Sequence, residues 1–467
     1  MTATPQNEPF IQPSEQERLG AEIPRSIKDM SRYFAREGVD PLPHAFDGKI
    51  AVHPGLGGGK VPEDAIDAEL DRVLAVPRTG KSVAYIHVPF CETHCLYCGF
   101  YNRGYRPDES RLYADALIRE LHLWEGRAAQ DQGPVHAVYM GGGTPTALEA
   151  DDLRRILREV KAVLPLANDC EITVEGRLSN FGPDKMEACF DGGANRFSLG
   201  VQSFNTAIRQ SMGRVSTREE LIAQLERLMS YNQAAVIVDL IYGFPRQTME
   251  LWLEDIAVAQ SLYLDGADCY QLNVYRQTPL GKAIEAGKMP AGADIPMQSA
   301  MFAAGVAAMQ NAFYRRLSVS HWARTSRERN LYNLYVKGRA HCLAFGPGAG
   351  GTIGGYFYLN RSDYRTWQEQ VYAGHKPVAM LARPAPHARL LRAVAEGMEQ
   401  SWLDLPRLEA EYGVPLARIW KPLFDQWSRA GLVERRGSFV ALTLAGQFWQ
   451  VNLSQLLQEY LKYALEE

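Results

Sequence analysis

Three cysteines, Cys91, Cys95 and Cys98, fall within the eight-residue core of the segment YIHVPFCETHCLYCGFYNR. Their CxxxCxxC spacing lets one compact loop present three thiolates to a single inorganic centre. An iron-sulfur cube has four irons, so three thiolates hold three corners and leave the fourth without a protein ligand. That open iron can chelate the amino and carboxylate groups of S-adenosylmethionine (SAM), whereas a fourth cysteine would close the site for plain electron transfer. One-electron reduction of a sulfonium held there breaks a carbon-sulfur bond and gives a 5′-deoxyadenosyl radical, chemistry that belongs to the cofactor rather than to side chains. The competing assignment is structural zinc, which needs four protein ligands and would have to recruit His87 or His94. Context favours the cube: the loop follows a β-rich run, and Tyr85, Phe90, Tyr97 and Phe100 surround it.

A second feature lies downstream, where GGGTPT occupies residues 141–146. Successive glycines let backbone approach a ligand closely, and their amides can take a carboxylate. Residues 55–60, GLGGGK, invite comparison with a phosphate loop, but the spacing is one residue short and Val61 stands where Ser or Thr should bind magnesium. A flexible loop is expected there. The remaining cysteines, Cys170, Cys189, Cys269 and Cys342, are scattered and read as small buried apolar residues rather than a disulfide framework.

The elements that must position these groups follow a βα rhythm. Six β-rich runs are expected at 82–88, 136–141, 170–175, 196–201, 235–243 and 268–275, each followed by an amphipathic segment. Six units are too few for a closed eight-stranded barrel, so the fold class is α/β with a partial (β/α)6 barrel whose chemistry sits at the C-terminal strand ends. Residues 1–80 read as an N-terminal extension with short helices near 24–37 and 62–74. Residues 81–280 form the core barrel, and 281–380 an irregular, Gly-rich cap and substrate-binding region. Residues 381–467 complete the chain as a small winged-helix-like domain.

The motifs YIHVPFC, GGGTPT, ITVEG, RFSLGVQSFN and DLIYGFPRQT resemble those of the radical SAM family of oxygen-independent coproporphyrinogen III oxidase. The resemblance runs through residues 82–280 and extends to the C-terminal domain. It implies a four-iron four-sulfur cluster on Cys91, Cys95 and Cys98 and two SAM molecules. Tyr85, Tyr97, Gly142, Gly143, Thr144, Glu175 and Tyr275 would then serve SAM binding, with Gln202, Arg214 and Asp239 serving chiefly the second molecule and Asp239 a catalytic role. A plain reading of Arg214 and Asp239 is a buried ion pair. The decarboxylases of the family carry another Cys two residues after the third ligand, where this chain has Phe100 after Gly99. The haem chaperones begin near their cluster motif and carry CxF after the loop, whereas about eighty residues precede the motif here. The loop ending CGFYN, the long extension, and residues 318–333 and 335–351 resemble the anaerobic haem-degrading methyltransferases, the anaerobilin synthases. That branch implies transfer of a one-carbon unit from SAM to haem, opening of the macrocycle and release of iron.

Haem presents a broad apolar plate and two propionates, so its pocket needs aromatic walls and a few cations. The basic and aromatic run at 314–341 offers them, with His321, Trp322 and Arg324 as candidate substrate contacts and His321 as a candidate iron ligand. A solvated face is the simpler reading of such a run. The formal charge of -4 supplies no field for nucleic acid, no apolar run is long enough to span a membrane, and the N-terminus lacks the features of a secretion signal. A cytoplasmic enzyme reduced by a flavodoxin or ferredoxin type donor is expected.

Overall fold

The computed structural model describes residues 24–50 and 57–466. These residues form two compact units, one of residues 57–396 and one that joins 24–50 to 397–466.

In the larger unit, six runs rich in β-branched and aromatic residues form parallel strands. They are β1 (Ser82–Val88), β2 (Val135–Gly142), β3 (Leu166–Gly176), β4 (Arg196–Gln202), β5 (Ala235–Tyr242) and β6 (Gly266–Gln271), each paired with the next. A parallel neighbour must be entered from the same end, which forces a long crossover. Helices supply it: α1 (Pro107–His122), α2 (Ala150–Val163), α3 (Pro183–Gly192), α4 (Arg218–Ser230) and α5 (Met249–Ser261), with α6 (Ile295–Asn311) after β6. Thr217, Thr248 and Asp294 begin α4, α5 and α6 by accepting an amide of the first turn.

The sheet does not close on itself. Beyond β6 lies β7 (His321–Ala323), antiparallel, followed by the short strand Arg315–Arg316. Beyond β1 lies β8 (His341–Phe345), parallel, then β9 (Gly350–Ile353), β10 (Tyr356–Asn360) and β11 (Val378–Pro384), all antiparallel. This is the expected partial barrel, widened at both edges. Residues 281–380 are therefore not irregular as expected: they supply α6 and the edge strands, whose runs were too short to show a period. The stretch expected as a flexible loop is also ordered in part, since Gly57–Lys60 pairs antiparallel with β11. Gly58 lies flush against that partner, where a Cβ would collide with the backbone carbonyls of Arg383 and Pro384. Residues 55 and 56 lie outside the described residues.

The segment 324–330 runs along the N-terminal ends of the strands. Arg324 donates to Tyr263 O (3.0 Å), Arg327 to Asn232 Oδ1 (2.8 Å) and Ala234 O (2.7 Å), and Arg329 to Asp169 O (2.7 Å). Behind it the short helix Leu331–Val336 packs on β1 and β2 with Val83 and Ala137. Glu328 enters the barrel and holds Arg196 of β4 through both its oxygens, Nε to Oε2 at 2.9 Å and Nη2 to Oε1 at 3.0 Å, with both side chains fully buried.

The smaller unit orders Leu405–Tyr412, Lys421–Arg429 and the hairpin of Val433–Arg436 and Phe439–Leu442, to which Trp402–Asp404 adds a third strand. This is winged-helix-like. Residues 24–50 pack onto it: Trp427 Nε1 donates to Tyr33 O (2.8 Å) and Gln426 Nε2 to Ala35 O (2.7 Å). The helix expected near 24–37 shrinks to one 3-10 turn, Ser31–Tyr33. Asp29 takes both the amide and the hydroxyl of Ser31 at 2.8 Å, a local bond that competes with a longer helix. The helix expected near 62–74 is present as Ile66–Leu74 behind a 3-10 turn, Glu63–Ala65.

Removing one partner of a buried ion pair strands the other charge. Arg196→Met should lower stability by about 3–5 kcal/mol in urea unfolding, and Arg196→Met with Glu328→Leu should recover part of that loss. A double variant as unstable as the single one would show that Glu328 is not the charge Arg196 compensates.

Candidate active site

The cysteine loop leaves the C-terminal end of β1 and is tied to three neighbouring loops. Gly143 N donates to Val88 O (2.7 Å) and Thr144 N to Phe90 O (2.6 Å), from the turn after β2. Leu96 N donates to Met212 O (3.1 Å) after β4, and Leu280 N to Leu96 O (2.8 Å) after β6. A Cβ on Gly143 would collide with the Phe90 carbonyl, so glycine is what lets the β2 turn reach the loop. The amides of this turn are thus engaged by protein. Gly142 N, the third of them, donates to Glu175 Oε2 at 3.2 Å. The expectation that these amides face a cosubstrate carboxylate is corrected accordingly.

Cys91 and Cys95 are buried and Cys98 is half-buried, all three as free thiols. Thr144 Oγ1 approaches Cys91 Sγ at 3.5 Å, and Phe100 N donates to Cys98 Sγ at 3.3 Å. Burial pushes the Cys91 thiol up, while the Thr144 hydroxyl and the Arg177 guanidinium pull the other way. Among the described residues no three or more His, Cys, Asp or Glu side chains are grouped to hold a single metal ion. The fit to a cluster rests instead on donors aimed at sulfur and on the charge of Arg177 and Arg214 beside the thiols, which suit a negatively charged thiolate cube. His94, a candidate zinc ligand, is stacked on Tyr101 with centroids 4.0 Å apart, and His87 Nδ1 bonds Tyr85 Oη at 2.9 Å.

Beneath the loop the barrel interior holds the other sequence-derived residues. Tyr139 and Tyr332 stack on each other at 4.6 Å, and Tyr85 lies beside the pair, 6.5 Å from Tyr139 and 6.0 Å from Tyr332. Glu175 and Asp239 are half-buried and surrounded by protein, so they face the interior of the barrel. Burial, then the charge of Asp239, pushes Glu175 up to about 8. Burial pushes Asp239 up to about 6, against the pull of Arg196 and Arg214. Arg214 bonds Tyr97 Oη at 3.0 Å and Gly200 O at 2.9 Å, while Asp239 meets Ser198 Oγ at 3.5 Å, so these two do not form the simple ion pair considered from sequence. Gln202 sits at φ 71° at a bulge in the β4–β5 pairing, a strained conformation for a residue with a Cβ. Tyr275 lies against the cysteine loop, 3.7 Å from where a Cβ on Gly99 would stand.

A model of the Radical SAM superfamily matches residues 85–258. The chain is 42% identical over 440 residues to anaerobilin synthase of Escherichia coli O157:H7, covering 93% of this chain and 96% of that one. It is 25% identical to heme chaperone HemW of Bacillus subtilis strain 168, over 78% of this chain and 96% of that one. The chain belongs to the radical SAM superfamily. Its fold matches that of the solved coproporphyrinogen III oxidase from Escherichia coli with a TM-score of 0.71 at 21% identity, over 84% of this chain and 93% of that one. Membership brings a four-iron four-sulfur cluster and SAM, and the cluster when bound supplies the electron that cleaves SAM to a 5′-deoxyadenosyl radical.

The haem candidates at 321–324 fare differently from the rest. Trp322 is buried on the outer face, with the Arg316 guanidinium 4.9 Å from its ring, and Arg324 lies over Tyr263 at 4.4 Å at the opposite end of the strands from the cysteine loop. Both are corrected to structural roles. His321 alone points into the barrel, where its Nε2 meets Tyr270 Oη at 3.0 Å and its Nδ1 meets Ser318 Oγ at 2.5 Å. With both nitrogens so engaged, it is not set to ligate iron. Tyr139 was missed, although its place two residues before Gly141 gives it the same inward parity. Tyr332 carried no signal, since only the fold brings its helix under β1 and β2.

Two tests follow from this geometry. Replacing Cys91, Cys95 or Cys98 by Ala should abolish SAM cleavage and absorbance near about 400 nm, whereas Cys170, Cys189, Cys269 and Cys342 should tolerate Ala with changes in stability alone. Glu175 mostly holds its proton at neutral pH, and a cation entering the barrel favours its carboxylate. SAM binding below about pH 8 should therefore release a proton. Titration calorimetry in buffers of different ionisation enthalpy measures that release, which Glu175→Gln should lower to what the SAM amino group alone loses on ligating iron.

Proposed function

We propose that the protein opens the porphyrin ring of haem without oxygen, joins a one-carbon unit from SAM to the tetrapyrrole and frees iron, the activity that the resemblance to the anaerobilin synthases implies. The observation that carries this reading is the 42% identity along nearly the whole length of both chains, against 25% for the chaperone. The rim of the site agrees with it. The position two residues after the third ligand holds Phe100, 82% exposed, where an aromatic plate can rest on it.

In this reading Cys91, Cys95 and Cys98 hold the cluster, and Tyr85, Tyr97, Gly142, Gly143, Thr144, Glu175 and Tyr275 shape the first SAM site around it. Gln202, Arg214 and Asp239 hold a second SAM, the methyl source. Asp239 orients that methyl group by facing its cationic sulfur, and Glu175 adds a carboxylate once its proton leaves. The enclosed walls of Tyr85, Tyr139 and Tyr332 keep water from the reacting carbon. The reductant is a flavodoxin or ferredoxin type protein and the compartment the cytoplasm. Among the described residues no helix is long and apolar enough to cross a membrane.

The test is anaerobic incubation of the reduced, cluster-loaded protein with SAM and haem. Loss of the Soret band with a linear methylated product is expected. Haem passed on intact would favour a chaperone, and turnover of coproporphyrinogen alone a decarboxylase. Asp239→Ala should raise the ratio of 5′-deoxyadenosine formed to haem consumed by about a hundredfold, since a methyl group misplaced by about 1 Å reacts that much more slowly. Deuterium from methyl-labelled SAM should appear in 5′-deoxyadenosine in the wild type and fall in the variant. An unchanged ratio and unchanged labelling would remove Asp239 from this role.

A further inference from the structure

A second polar path reaches the barrel interior, far from the cysteine loop. At the edge of the open barrel, β7 pairs with β6 so that His321 stands opposite Asp268. On the inner face Tyr270 Oη meets His321 Nε2 at 3.0 Å and Asp268 Oδ2 at 3.4 Å, and the imidazole lies 3.6 Å from that same carboxylate oxygen. Ser318, half-exposed in the turn before β7, meets the other ring nitrogen at 2.5 Å. His321 and Asp268 are each 2% exposed. Asp268 pairs in register with Asp239 of β5, which faces the interior. These contacts form an unbroken run of exchangeable protons from the surface to the interior.

We propose that Ser318, His321, Tyr270 and Asp268 form a proton relay that enters the barrel through its open edge, separate from the mouth at the cysteine loop. The proposal rests on the haem-opening reading for the use of the protons. When an iron cation leaves a tetrapyrrole, two ring nitrogens that carried its negative charge each take up one proton. Iron-nitrogen bonds break, nitrogen-hydrogen bonds form, and no electron moves in that step. A substrate seated at the barrel mouth blocks water from above, so those protons need another entrance. Ser318 takes a proton from solvent and passes its own to Nδ1 of His321. Nε2 hands a proton to Tyr270, whose hydroxyl shares it with Asp268, and Tyr270 opens onto the barrel interior.

The surroundings suit transfer. Asp268 feels the charges of Asp239 of β5, Arg196 of β4, Glu328 from the segment across the strand ends and Lys337 at the end of the helix Leu331–Val336. Tyr270 faces Asp268, Asp239, Tyr139 and Arg196. Burial and the charge of Asp239 push the Asp268 carboxyl well above its ordinary value, so it has a proton to pass on. His321 is a positioning and relay group here, not a ligand.

The experiment is infrared spectroscopy of the cluster-loaded protein mixed rapidly from H2O into D2O. The carboxylic C=O band lost in Asp268→Asn identifies Asp268, and its isotope shift reports proton exchange. In the wild type the shift should complete quickly. In Ser318→Ala and His321→Gln it should slow by about tenfold or more, and free imidazole should restore the rate in His321→Ala. Exchange as fast in Ser318→Ala and His321→Gln as in the wild type, or no protonated Asp268 band in the wild type, overturns the relay. A parallel arm follows chelatable iron against haem loss, where the same two variants should delay iron release behind ring opening. If the wild type consumes no haem, the functional reading fails while the infrared arm still decides the relay.

Discussion

Two short backbone hydrogen bonds, from Gly143 and Thr144 to the carbonyls of Val88 and Phe90, fix the cysteine loop to the sheet. Everything the site can do depends on that attachment. Cys91 follows Phe90 directly, so the first thiol is placed by the same bond, and Thr144 adds its hydroxyl to the sulfur. The price of so close an approach is the absence of any side chain at residue 143. The glycine run therefore acts first as scaffold for the loop that carries the chemistry.

The interior below is unusual in its charge balance. Glu171, Glu175, Asp239, Asp268 and Glu328 share the barrel with Arg196 and Arg214. Carboxylates outnumber the guanidiniums, and burial pushes Glu171, Glu175, Asp239 and Asp268 up. Arg196 is spent on Glu328, which holds the segment across the strand ends, and Arg214 on Tyr97. That leaves Asp239 and Glu175 facing the interior, with Glu175 able to give up its proton when a cation arrives. A sulfonium is such a cation, and the radical SAM assignment and the electrostatics meet at this point.

The arginines at 324–329 show how a basic run can mislead. Their guanidiniums donate to backbone carbonyls at the N-terminal ends of the strands. A carbonyl and a propionate look alike to a guanidinium, so residue type could not separate the two uses.

The sequence by itself determined the spacing of the cysteine loop and the six βα units, while Tyr85, Glu175 and Asp239 were legible only through motifs that resemble a known family. Fixed cysteine spacing and β-rich runs are local properties that survive without knowledge of neighbours. The helix at 66–74 was legible in outline, whereas the turn at Ser31–Tyr33 was not, because Asp29 bonds both the amide and the hydroxyl of Ser31 in place of a longer helix. Tertiary structure alone decided which edge strands widened the sheet, which amides of the glycine turn were already engaged, and where residues 321–332 went. His321 faces Asp268, Trp322 the outer packing and Tyr332 the stack on Tyr139, because pairing register and chain crossing assign them. Those are contacts between residues far apart in sequence, and no local pattern encodes them.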